Sequence, residues 1–60
     1  MNLYKSTFKH KDKKTGVIRE LPDYVVAENF NDMLKKVDEK WQGYDNDIVK
    51  YDLIATDVIF

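Results

Sequence analysis

Phe30, Met33, Leu34, Val37 and Trp41 fall on one stripe of a 3.6-residue helix, while the segments before and after that stripe alternate with period two. This single change of period constrains the fold more than any other feature. One amphipathic helix between extended segments cannot build a bundle; it must lay its apolar stripe on one face of a sheet. The predicted helix has its own punctuation. Asn29 is a good N-cap, and Asp32 three residues on suits the positive end of the helix dipole. Gly43 can adopt the left-handed conformation that stops it. On the polar face, pairs such as Asp32–Lys36 add a few tenths of a kcal/mol each, about 0.2–0.5.

Ahead of the helix, residues 2–10 place Tyr4, Ser6 and Phe8 on one face and Leu3, Lys5, Thr7 and Lys9 on the other, which predicts a strand with one wet face. Lys11 to Gly16 has the composition of a hairpin turn. A second strand follows from Val17 to Leu21, is marked as an edge or bulge by Pro22, and resumes over Tyr24–Ala27. After the helix, Ile48 to Phe60 reads as a long third strand whose odd positions Val49, Tyr51, Leu53, Ala55 and Ile59 form an apolar face. At ~3.3 Å per residue, that strand is too long for one short helix to cover. Either it bends near Thr56–Asp57 or its far end pairs outside the domain, and the apolar ending Val58-Ile59-Phe60 favours the second. The fold class is therefore α+β, with element order β-β-α-β over one domain spanning residues 1–60. A three-stranded, mainly antiparallel sheet carries one helix on one face, with the third strand beside the first. Dimerisation is expected through sheet edges or through Val58, Ile59 and Phe60.

Charge is sorted along the chain. Residues 1–19 carry six lysines and arginines against one acid, whereas residues 20–60 carry four lysines against ten acids, so the formal net charge of −1 conceals two opposite poles. Sixty residues bury only about 60% of their unfolded surface, and without cysteine no disulfide or thiolate–metal site reinforces the core. Packing or self-association must supply the stability. A hydrophobic content of 43% is ample for a folded core. No apolar run approaches the ~20 residues of a membrane span, and Met1–His10 lacks the pattern of a secretory leader. The expectation is a complete, soluble, cytoplasmic protein.

Few residues suggest chemistry. His10 is the only histidine and stands at the mouth of a lysine-rich turn, so a solvated histidine is expected there rather than a metal ligand or a triad base. Asp45-Asn46-Asp47 lacks the glycine and distal glutamate of an EF-hand loop, since Val49 and Lys50 follow it, and reads as a helix-to-strand turn. The paired carboxylates fall on surfaces with no sign of a pocket. No catalytic residue, cofactor or metal is expected. Function must then lie in surfaces. Lys9, Lys11, Lys13, Lys14 and Arg19 on the first hairpin, with Tyr44 beside the helix end, are the candidate partner-binding residues. A basic hairpin over residues 5–19 also admits nucleic acid as the alternative partner. Tyr4 and Phe8, however, alternate away from Lys5 and Lys9 and so belong to the core.

The segment from Tyr24 to Val37, YVVAENFNDMLKKV, joins a short strand ending in alanine to a polar cap and an amphipathic helix. In this it resembles small accessory proteins of phages and prophages of Gram-positive bacteria, among them inhibitors of bacterial defence such as anti-CRISPR proteins and inhibitors of Hachiman. That resemblance implies a non-enzymatic protein-binding module. It would be a phage-encoded homodimer that occludes a host defence component in the bacterial cytoplasm. It carries over no individual functional residue.

Overall fold

The computed structural model describes residues 1–59. Strand β1 (Asn2–Asp12) and strand β2 (Ile18–Ala27) form a hairpin, helix α1 (Phe30–Lys40) follows, and strand β3 (Tyr44–Ala55) returns to the sheet. The strand order is β2-β1-β3, with both pairings antiparallel. The α+β class, the β-β-α-β order and the placement of the third strand beside the first all hold. The molecule is elongated, about 39 × 18 × 16 Å.

Alternation along β1 sets the core. Tyr4, Phe8, Ala27, Met33 and Val37 are buried between sheet and helix, with Val25, Phe30, Leu34, Trp41 and Ile48 packed around them. Ser6, His10 and Asp23 are buried on that same face. The hairpin turn comes later than the composition suggested. Asp12 N–H donates to the Val17 carbonyl (2.8 Å), and the Asp12 carboxylate accepts from the backbone of Lys14 (2.8 Å) and Thr15 (3.2 Å). Gly16 (φ 75°) supplies the left-handed turn residue. β1 therefore runs on to Asp12, and His10 is a strand residue facing the helix rather than a solvated turn residue.

Asn29 caps α1, its side chain accepting from Asp32 N–H at 2.8 Å. Asp32 reciprocates by accepting from Glu28 N–H (3.0 Å) and pairs with Lys36 (3.4 Å). The Glu28 N–H bond, followed by Lys36, holds the Asp32 carboxyl below its ordinary 3.8. A depressed carboxylate gives stability that is complete above the ordinary value and is lost as pH falls through the folded-state value. Acid titration followed by helix circular dichroism should therefore show less loss below about pH 4 in Asp32→Asn than in the parent, from a lower starting stability. Identical acid limbs would refute that linkage.

β3 departs most from expectation. Gly43 (φ 87°) turns the chain so sharply that the strand begins at Tyr44. Asp45, Asn46 and Asp47 lie in the ladder opposite Lys11, His10 and Lys9, not in a turn. Register irregularities between Thr7/Phe8 and Leu3/Tyr4 leave Val49 and Ile54 without a β1 partner. The first shifts the alternation: Ile48 lies opposite Phe8 on the helix side, but beyond it Tyr51 and Leu53 take that side, opposite Ser6 and Tyr4. The strand ends at Ala55, and Asp57 turns the chain at a φ of 53°. Val58 N–H then donates to the Met1 carbonyl (2.7 Å).

Candidate functional site

Among the described residues, only one face of the sheet is covered. By register, the uncovered face carries three parallel columns: Ile18, Glu20, Pro22, Tyr24 and Val26 on β2; Leu3, Lys5, Thr7, Lys9 and Lys11 on β1; Asp45, Asp47, Lys50, Asp52 and Ala55 on β3. The β2 column is mostly apolar, with Tyr24 64% and Ile18 58% exposed. Lys5 Nζ lies 6.0 Å from the Tyr24 ring centroid, within the range of a weak cation–π contact. The pairings Lys5–Asp52, Lys9–Asp47 and Lys11–Asp45 set the basic pole of the sequence directly against its acidic pole. Sorting along the chain becomes pairing across the sheet.

The hairpin end gathers most of the candidate binding residues. Lys11, Lys13 and Tyr44 line an open groove of about 730 Å³ with Trp41, Asp38 and Asp47. Lys13 Nζ reaches Asp45 at 4.0 Å, both side chains being largely exposed. A smaller depression of about 130 Å³ joins Arg19 and Tyr44 to Asp12, Thr15 and Val17. Tyr44, half-buried with its ring edge-on to Trp41 at 5.2 Å, separates the two. Lys9 stands apart on the uncovered face, and Lys14 is exposed in the turn. Of the expected dimer residues, Val58 is half-buried and tied to Met1, Ile59 is 95% exposed, and Phe60 lies outside the described residues.

Beneath the groove lies a polar cluster that the sequence reading missed. His10 is fully buried. Its Nε2 is 3.0 Å from Asp23 Oδ2 and its Nδ1 is 2.7 Å from Asn46 Oδ1. The Asn46 amide is oriented by its two donations, to Asp38 Oδ1 (3.0 Å) and the Trp41 carbonyl (3.3 Å), which leaves Oδ1 to face the imidazole. Trp41 stacks on the imidazole at 3.9 Å and donates from Nε1 to Asp23 Oδ1 (3.4 Å). Both ring nitrogens thus lie within hydrogen-bond distance of a side-chain oxygen. Ser6 Oγ, on the same face of β1, donates to the Asp23 carbonyl (3.2 Å) and is itself buried. The cluster ties β1, β2, α1 and β3 together and presents no nucleophile to a groove. Its sequence signal was the continuing alternation Tyr4, Ser6, Phe8, His10. Among the described residues, every buried side-chain polar atom is hydrogen-bonded, and no three His, Asp or Glu side chains are placed to hold a metal ion. Among them, too, no helix is long and apolar enough to cross a membrane.

No protein-family model matches the chain, and no curated protein or solved structure is significantly similar to it.

Proposed function

We propose that this chain is a non-enzymatic protein-binding module, a phage-encoded inhibitor that works as a homodimer in the bacterial cytoplasm by occluding a component of a host defence system. The observation that carries the binding reading is the uncovered sheet face. Large exposed apolar side chains (Ile18, Tyr24) stand there beside ordered rows of opposite charge, over an interior whose buried side-chain polar atoms are all hydrogen-bonded among the described residues. Apolar anchors rimmed by charge are the usual composition of a protein interface. The charged rows would set orientation and exclude wrong partners more than they would add affinity. The groove residues Lys11, Lys13 and Tyr44, with Arg19 around the corner, extend that surface over the hairpin end.

The test is phage plating on a panel of bacterial strains, each carrying one defence system, with the chain expressed in the host. Plating should recover on at least one strain, and Ile18→Glu/Tyr24→Glu should abolish the recovery without unfolding the protein. No recovery on any strain would reject the inhibitor reading. A second reading, nucleic-acid binding, is favoured by the Lys5–Tyr24 contact but opposed by the acidic column one strand away. Under it, Lys11→Ala/Lys13→Ala/Lys14→Ala would weaken binding and reduce its salt slope by about 2–3. Absence of any DNA or RNA complex at low salt eliminates it.

A further inference from the structure

Of the two sheet edges, only one invites a further strand. β2 carries Pro22 at mid-strand, which has no N–H to offer a neighbour. β3 has no such block, and its outer half holds four large, half-exposed apolar residues in close succession: Val49, Tyr51, Leu53 and Ile54. α1 packs more extensively on β2 than on β3. Phe30, whose ring is 4.7 Å from that of Tyr51 on β3, and Leu34, one turn further along α1, are only partly covered. The C-terminal segment does not continue along this edge, because Asp57 turns it and Val58 bonds to Met1.

The sequence of this free edge is complementary to itself when reversed. Val49-Lys50-Tyr51-Asp52-Leu53 reads apolar, positive, tyrosine, negative, apolar. We propose that two copies of this chain pair antiparallel along β3 about a two-fold axis through Tyr51, forming one continuous six-stranded sheet. Lys50 of each copy then stands opposite Asp52 of the other, twice, on the uncovered face, and the two Tyr51 rings meet on the helix side. Val49 lies opposite Leu53 at either end. Antiparallel neighbours place such pairs at contact distance, where opposite charges stabilise and like charges oppose. A two-fold axis perpendicular to the sheet keeps both helices on one face. Their Phe30 and Leu34 side chains then flank the paired tyrosines and close the apolar gap. Hydrogen bonding of the free edge removes the liability that an open strand otherwise carries. Of the two residues without a β1 partner, Val49 is the first of this segment and Ile54 follows its last, so the irregularities of β3 coincide with the ends of the complementary stretch.

The proposal rests on the homodimer of the preceding reading and names its contact, which differs from the Val58–Phe60 contact expected from sequence. Sedimentation and native mass spectrometry distinguish the alternatives. Lys50→Asp sets Asp against Asp at both positions, and Asp52→Lys sets Lys against Lys. Each should weaken self-association at least about tenfold while circular dichroism confirms the fold. Mixing the two variants restores both pairs and should give a heterodimer from two monomers. That complementation also guards against any weakening of the fold by Asp52→Lys beside Lys5. A parent chain that stays monomeric at high micromolar concentration overturns the homodimer itself. A dimer that survives Lys50→Asp but is lost on deletion of residues 58–60 overturns this pairing and leaves the homodimer standing.

Discussion

His10→Ala is expected to cost about 3–5 kcal/mol of folding stability, the range for leaving a buried charged group, here the Asp23 carboxylate, without its partner. A chain of this length has about 3–9 kcal/mol in all, so the variant should lose a large fraction of its stability. The size of the effect follows from what alanine leaves behind. Asp23 is 6% exposed and would keep only the long Trp41 Nε1 bond to its carboxylate. Asn46 Oδ1 would lose its acceptor role, and Trp41 the ring on which it stacks at 3.9 Å. Urea unfolding of His10→Ala, Asp23→Ala and the double variant measures the cycle. The double variant should cost much less than the sum of the singles, because the second deletion removes a group the first has already orphaned. A cost below about 1 kcal/mol for His10→Ala, the level of an ordinary surface change, would show that the cluster does not hold the four elements together.

The path to that cluster shows where sequence legibility ends. The helix was readable to its cap because a 3.6-residue stripe and an asparagine before it are local signals, and Asn29 does cap α1. The buried face of β1 was equally readable, since Tyr4, Ser6 and Phe8 alternate. His10 continues that alternation, yet it is flanked by Lys9 and Lys11, and the partners that make its burial tolerable lie 13 and 36 residues away. Burial of a polar side chain depends on such distant acceptors, and they become neighbours only once the strands are in register. β3 was misread for a related reason. Its alternation changes sides at Val49, and the adjacent apolar pair Ile48-Val49 was the only local trace of the irregularity. The apolar face expected at Val49, Tyr51 and Leu53 is consequently half-exposed rather than core. The bend expected near Thr56–Asp57 is present, with Asp57 at positive φ.

The sorted charges lead to the second large effect. Replacing Asp45, Asp47 and Asp52 together by lysine should destabilise the fold by about 2 kcal/mol, by turning three opposed cross-strand pairs into three repulsive ones. Each pair alone is a surface interaction of about 0.2–1 kcal/mol, and the ion pair beside them, Lys13 in the turn to Asp45 at 4.0 Å, is not one of the three. The argument therefore does not depend on individual salt bridges. It depends on register: β1 lies between both neighbours, and a slip of one residue would move Lys5, Lys9 and Lys11 to the helix side. Opposed charge rows and an alternating apolar row penalise the same slip, which is how a chain this small can specify one pairing. Two controls separate register from generic charge repulsion. Adding Lys5→Asp, Lys9→Asp and Lys11→Asp to the triple variant restores opposite pairs with the poles exchanged and should recover most of the lost stability. Molar salt should also shrink the penalty, because at that strength the screening length is about 3 Å. A triple variant as stable as the parent, or a sextuple variant no better than the triple, would mean that the charge sorting contributes nothing to strand pairing. The two rows would then be free to serve a partner alone.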